Sequence, residues 1–341
     1  MNMLAEIKDW HELINEVVCG NCLDGLRLVP DNSVDCCITS PPYWGLRDYG
    51  NDEQLGLEKT PEEYVTNMVS VFRGVKRALK KEGTLWLILG DSYAGGGRGC
   101  NTLKQKSNKG TQNMPTSIVP TGLKPKDLVG IPWRVAFALQ EDGWYLRQDI
   151  IWHKPNPMPE SVTDRCTKSH EYVFLLAKSP KYYFNNKAIQ EKSVYSGPMM
   201  VDGFVPKSVN GKHGGDPQNS ANRKKYRPSE AGGGTSMINH NGYFKENGDT
   251  IGKAGFRNKR DVWSVTTSPF KGSHFATFPT ALIEPMIKAG CPEGGLVLDP
   301  FMGAFTLARV AKDMGRRFIG FELNSAYCEI GEDRLKQQNL F

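Results

Sequence analysis

The segment Val34-Asp35-Cys36-Cys37-Ile38-Thr39-Ser40-Pro41-Pro42-Tyr43 constrains the fold of this chain most tightly. Its first half is apolar and reads as a short buried strand. Two consecutive prolines then end it, because proline has no N–H for a ladder and fixes its own φ. The strand therefore stops in a rigid turn. That turn presents the Ser40 hydroxyl, the Pro41 carbonyl and the Tyr43 ring to one point. Two acceptors beside an aromatic face suit a flat ring that bears an exocyclic amino group. A surface Pro-Pro turn that only caps a strand has the same local sequence, so the assignment depends on the rest of the chain.

The second constraint is at the other end. Leu296-Val297-Leu298-Asp299 predicts a strand that runs into Pro300-Phe301-Met302-Gly303-Ala304-Phe305-Thr306, followed by a helix from Leu307 to Lys312. A helix N-terminus beside a glycine lets a ligand approach the backbone closely. A further strand, Arg317–Phe321, ends in Glu322, whose carboxylate can accept both hydroxyls of a ribose, and Ser325–Lys336 predicts a helix. An acid at the first turn, with no phosphate-hugging GxGxxG, argues against a dinucleotide. It fits a ligand with a cationic amino acid at one end and a ribose at the other, as in S-adenosylmethionine (SAM). An ordinary βαβ unit with a structural aspartate is the plainer alternative.

Gly20-Asn21-Cys22 precedes the first segment, and between the two lie Gly83–Asp91, Asp149–Asn156 with Trp152-His153-Lys154, Thr167–Lys178 with His170-Glu171, Asp261-Val262-Trp263, and His274–Leu282 with Phe278-Pro279. In this order the segments resemble the amino-group DNA methyltransferases of restriction–modification and phage origin. The chain is most similar to the permuted type, with SPPY near the N-terminus and the SAM-binding DPF-G motif near the C-terminus. The resemblance covers nearly the whole chain.

The resemblance implies a doubly wound α/β fold. Its sheet is mostly parallel and seven-stranded, with an antiparallel hairpin at one edge. Residues 1–186 would form the catalytic half, with a mobile basic loop at about 95–122. Residues 187–260 would form a small irregular target-recognition insertion, and 261–341 the SAM-binding half. Ser40, Pro41, Pro42 and Tyr43 would be catalytic. SAM would meet Asp299 at its ammonium, Glu322 at its ribose and Asn21 at its adenine. Phe278, Pro279, Phe301, Gly303 and Thr306 would complete the pocket. The sequence departs from the family in two places: Phe305 stands where a small residue is usual, and Asn21 replaces a common acid.

Charge is uneven along the chain. Ser92–Lys126 holds six basic residues and no acids; Lys187–Arg260 holds thirteen basic and six acidic. Their excess of +13 against +6 for the whole chain leaves about −7 elsewhere. Solvated loops account for such composition. Phosphate contacts on DNA also account for it, and both segments are expected to follow strands on the catalytic side. The candidate DNA contacts are Lys104, Lys106, Lys109, Arg223, Lys224, Lys225, Arg227, Arg257, Lys259 and Arg260.

Composition narrows the remaining classes. At 341 residues and 39% hydrophobic content, a sizeable core can form. No apolar run approaches the length of a membrane span, and no signal-peptide pattern opens the chain. The eight cysteines lack paired spacing, and Cys19-x-x-Cys22 has no second pair to complete a metal site. A cytoplasmic protein with reduced thiols and no metal is expected. It would be a monomer or homodimer that acts on double-stranded DNA, with a cognate restriction endonuclease left open.

The expected chemistry is direct methyl transfer to the amino group of a flipped base. Ser40 and the Pro41 carbonyl would accept the amino hydrogens and Tyr43 would stack on the ring. Serine at the first motif position is associated in the resembling family with N4 of cytosine, and aspartate with N6 of adenine. N4-cytosine is the favoured target and N6-adenine the alternative. An RNA or small-molecule methyltransferase and a catalytically silent DNA-binding module are the readings from other classes.

Overall fold

A computed structural model gives the fold. It describes residues 4–46, 48–95, 119–120, 122–192, 237–238, 244–246, 249–251, 256–267 and 278–336. Five strands form in the first half: β1 (Glu16–Cys19), β2 (Val34–Thr39), β3 (Leu79–Leu89), β4 (Tyr145–His153) and β5 (His170–Ala177). Short strands β6 (Glu191–Lys192), β7 (Met237–Ile238), β8 (Phe244–Glu246), β9 (Asp249–Ile251) and β10 (Phe256–Arg257) follow. Then come β11 (Val262–Ser264), β12 (Leu296–Asp299) and β13 (Arg317–Glu322). The chain divides into two units, 1–188 with 260–341, and 189–259.

The first unit is built on one sheet in the order β1-β13-β12-β2-β3-β5-β4-β11. Only β5 runs against its neighbours. Its hairpin with β4 gives the antiparallel edge, and β11 adds a short eighth strand to the expected seven. β11 pairs in parallel with β4 because Ile151 N–H donates to the Asp261 carbonyl and the Trp152 indole donates to the Val265 carbonyl.

Central strands are largely apolar along their buried lengths because both faces are covered. In β2, consecutive cysteines point to opposite faces, as pleating requires. Cys37 joins the core beneath three helices: α1 (Cys22–Leu28), α2 (Pro61–Ala78) and α3 (Ile131–Glu141). Cys36 faces the side of α4 (Thr280–Gly290), where Gly290 leaves room for its sulfur. The helices α5 (Thr306–Asp313) and α6 (Ser325–Lys336) complete that second layer. α2 starts where its sequence directs: Thr60 and Glu63 form a reciprocal capping box with Pro61 at the first turn.

Parallel strands β1, β13, β12 and β2 all end at the same edge of the sheet. Asn21, Glu322, Asp299 and Ser40 therefore sit side by side there, which is where open α/β sheets bind ligands. Leu89 ends β3 at this edge too, so the first basic segment leaves from the catalytic side. The second does not. β5 is reversed, and its last residue, Ala177, pairs with Thr84 near the start of β3. Residues after it run along the opposite edge, where Tyr183 N–H donates to the Glu82 carbonyl and Asn185 N–H to the Ala289 carbonyl. An apolar run carries no direction, and that is why the sequence placed this exit wrongly.

The second unit contains two small sheets, β10 paired with β6 and β7-β8-β9, all antiparallel.

Candidate active site

The turn after β12 is held by two carboxylates. Asp299 Oδ1 accepts from Phe301 N–H at 2.9 Å, and Glu322 Oε2 accepts from Gly303 N–H at 2.8 Å. The other oxygen of Glu322 accepts from Asn324 N–H at 2.8 Å. Met302 N–H donates to the Phe321 carbonyl and ties the turn to β13. Gly303 takes φ 56°, where a side chain is strained. A Cβ on it would meet nothing within 4 Å, so the glycine borders open space.

Asp299 also binds the acceptor strand. The Thr39 hydroxyl donates to its Oδ1 at 2.6 Å, across 260 positions of sequence. Thr39 immediately precedes Ser40, so this bond joins the turn that begins at Ser40 to the turn that begins at Asp299. Thr39 was not among the residues singled out from sequence; a buried threonine beside an acid at a strand end is its signal.

Asp299 lies fully inside the protein and its Oδ2 has no partner. Burial, with Glu322 nearby, raises its pKa to about 7. Burial also raises that of Glu322, against the backbone N–H groups that lower it. Two acids pushed toward neutrality at one turn form a place that favours a cation. The orphaned oxygen of Asp299, the open face of Gly303 and the acceptor pair on Glu322 fit an ammonium and a ribose, and so fit SAM.

The other expected cofactor residues are spread along the same edge. Asn21 caps α1, accepting from Leu23 N–H at 2.9 Å while its amide donates to Glu53 at 3.1 Å. Asn324 reaches the Tyr49 carbonyl at 3.5 Å, so the loop after the Pro-Pro turn returns over β1 and β13. Phe301 is half-buried against the core, and Phe278 and Pro279 are half-buried ahead of α4. Thr306 is buried and accepts from Arg334 at 3.3 Å.

Phe305 does not line the cofactor turn. It holds φ 61° at the N-cap of α5, and its ring fills the notch at Gly331 on α6. The unusual side chain is thus accommodated in the helical layer.

At the Pro-Pro turn, the Tyr64 hydroxyl donates to the Pro42 carbonyl at 2.9 Å and fixes the backbone. The Tyr43 ring edge rests on Gly90, where any Cβ would clash. Its hydroxyl donates to Glu171 Oε2 at 2.9 Å and accepts from the Ser40 hydroxyl at 3.3 Å. Glu171 Oε1 pairs with Lys154, whose ammonium sits 4.3 Å from the Trp152 ring centre. Neither Glu171 nor Lys154 was picked as a site residue from sequence, because it is the β3–β5 pairing that brings Glu171 to Tyr43 and the β4–β5 pairing that brings Lys154 to Glu171.

Of the expected DNA contacts, Lys104, Lys106, Lys109, Arg223, Lys224, Lys225 and Arg227 lie outside the described residues, as does most of the basic loop at 95–122. Arg257 is half-buried and pairs with Glu191 at 3.3 Å. Lys259 is half-buried and Arg260 exposed. Among the described residues there is no metal-binding cluster, and no helix is long and apolar enough to cross a membrane.

The model of the N6/N4 DNA methylases matches residues 34–333. Type II methyltransferase M.Cfr9I of Citrobacter freundii is 43% identical over 320 residues, 94% of this chain and 87% of the relative. Type II methyltransferase M.SmaI of Serratia marcescens is 40% identical over 320 residues, 94% of this chain and 90% of the relative. The PvuII DNA methyltransferase (cytosine-N4-specific) superposes with a TM-score of 0.59 at 16% identity, covering 96% of this chain and 88% of that one. A Thermus thermophilus protein solved in complex with SAM gives a TM-score of 0.52 at 19% identity, covering 94% and 93%. These two structures support the fold. The chain belongs to the N6/N4 DNA methylase family and is a SAM-dependent methyltransferase of amino groups in DNA, similar to the Type II enzymes named above.

Proposed function

We propose that this chain methylates N4 of cytosine within a specific sequence of double-stranded DNA, on a base flipped out of the helix. One observation carries the reading. The Thr39–Asp299 bond joins the amine-binding turn to the cofactor turn at a single edge of the sheet, and the first residue of the amine-binding turn is serine. In the resembling family that residue is associated with N4-cytosine.

Bound SAM supplies an electrophilic methyl group. Asp299 and Glu322 would hold its ammonium and ribose, and Asn21 would meet its adenine. Ser40 Oγ and the Pro41 carbonyl accept the two amino hydrogens of the base. A cytosine amine is a poor nucleophile because its lone pair is delocalised into the ring. Hydrogen bonding to both hydrogens favours a pyramidal nitrogen and frees that lone pair. The Tyr64–Pro42 bond keeps the acceptors at fixed spacing, so orientation supplies much of the rate. A base paired in a duplex cannot reach this turn, which is why flipping is required. Tyr43 supplies the aromatic face. Buried Cys36 and Cys37 keep their protons, since burial drives both thiols well above the ordinary range. They take no part in the transfer.

The unit at 189–259, basic in sequence, is proposed to contact the DNA and read the target. Sequencing DNA from a methylation-free host that expresses the chain, by a method that separates N4-methylcytosine from N6-methyladenine, tests the base. N4-methylcytosine at one sequence context is expected. N6-methyladenine alone would overturn the target and keep the fold-level assignment.

A further inference from the structure

We infer that Glu171 is a positioning residue for methyl transfer, acting through the Tyr43 hydroxyl to aim the Ser40 hydroxyl. The inference rests on the reading of Ser40 as an acceptor for the amine. The observation is a chain of donors with one direction. Ser40 O–H points to the Tyr43 oxygen at 3.3 Å, and Tyr43 O–H points to Glu171 Oε2 at 2.9 Å. A hydroxyl can rotate, and a serine free to donate anywhere could turn its proton toward the incoming amine and repel it. A carboxylate only accepts. It fixes the Tyr43 proton toward itself, which leaves the Tyr43 oxygen as an acceptor for the Ser40 proton. The Ser40 lone pairs are then free for the amine hydrogen. Hydrogen bonds in such a chain polarise each other, so Ser40 also becomes a better acceptor.

Glu171 is itself held. Lys154 occupies its second oxygen, and Lys154 in turn lies over the Trp152 ring. The side chains of this pair are only 19% and 17% exposed, so water competes weakly for them. Burial and the carboxylate at Glu171 raise the Tyr43 pKa well above its ordinary value, so the hydroxyl keeps its proton and remains the donor. His170, next to Glu171, has its pKa lowered by burial and by Lys168, with His153 adding to the same direction. This arrangement gives Tyr43 a second task besides stacking, one that phenylalanine cannot do.

The test is single-turnover methylation at saturating SAM and DNA, with both dissociation constants measured separately. Loss of one hydrogen bond to a charged group is expected to slow transfer about 10- to 100-fold in Glu171→Ala and in Tyr43→Phe. Both dissociation constants should stay at the wild-type values. Glu171→Gln should keep the rate within a few-fold, because its amide oxygen accepts the same bond. Adding Glu171→Ala to Ser40→Ala should cost nothing further, since Glu171 acts only through Ser40. A wild-type rate in Tyr43→Phe overturns the inference, as does a loss in the double variant equal to the product of the two single losses. If Ser40→Ala is itself at the wild-type rate, the reading of Ser40 falls and this inference falls with it. If Ser40→Ala is slow while Tyr43→Phe is not, only the inference falls.

Discussion

Asp299 is a buried acid that keeps one oxygen unsatisfied, and its titration gives the site a pH signature. In the unfolded chain it loses its proton near the ordinary aspartate value, but in the folded chain only at about 7. Between those values the folded state holds more protons, so through this group stability falls as pH rises and the penalty is complete above about 7. A bound cation reverses the preference and requires the ionised form. Below about pH 7, binding must therefore expel a proton, and the dissociation constant for SAM should rise by up to roughly tenfold per pH unit. Asp299→Asn should weaken binding at pH 8 and flatten this pH dependence, because its amide cannot ionise. Titration calorimetry from pH 5.5 to 8 checks both, and an unchanged slope in the variant would assign the effect elsewhere. The same residue scale separates what sequence could and could not supply. Asp299, Glu322 and Ser40 were legible because each ends an apolar run. Glu171, Lys154 and Thr39 were not, because their importance lies in contacts across 128, 17 and 260 positions that no local pattern records.

The helical layer on the cofactor side shows the same limit in one pair. Phe305 departs from the pattern of the resembling family, in which a small residue is usual at the cofactor turn. Its ring instead packs onto Gly331, where an added Cβ would lie 2.2 Å from the ring. A bulky residue at φ 61° is strained by about 1–2 kcal/mol, and burying its ring outweighs that. Gly331→Ala should therefore lower stability through overpacking, by about 1–3 kcal/mol. Phe305→Gly removes the strain but empties the notch, and should also destabilise, since aromatic truncation in a core costs about 3–5 kcal/mol. Combining them should cost less than the two losses together, because each change relieves the other's problem. Denaturant unfolding of the three variants measures this, and simple additivity would show that the two residues are not coupled. Strand and helix positions were legible for the opposite reason. Runs such as Leu296–Asp299 are buried on both faces and helix α6 occupies the predicted Ser325–Lys336. The reversal of β5 was hidden, since pairing partners decide strand direction.

For the whole molecule, the sheet brings four strand ends together while its two basic segments depart from opposite edges. The chain leaves β3 beside the Pro-Pro turn, whereas it leaves β5 at the far edge and returns at β11. Within the second unit, charge is already partly spent. Arg257 is paired with Glu191, so Arg257→Ala should change DNA affinity little and leave its salt dependence almost intact. The run Arg223-Lys224-Lys225-Tyr226-Arg227 contains four cations and no acid. Each cation seated on a phosphate releases a counterion and contributes about 0.9 to the slope of log affinity against log salt on duplex DNA. Replacing Lys224, Lys225 and Arg227 together by glutamine should thus weaken binding to every DNA sequence and lower the slope by up to about 2.7. Sequence preference should be kept, because phosphate contacts position a protein and base contacts specify its target. The measurement is affinity for cognate and unrelated duplexes from 50 to 300 mM salt. An unchanged slope would place this run in solvent and leave the segment after β3 as the source of the electrostatic grip; a selective loss on the cognate duplex would make these side chains readers of bases.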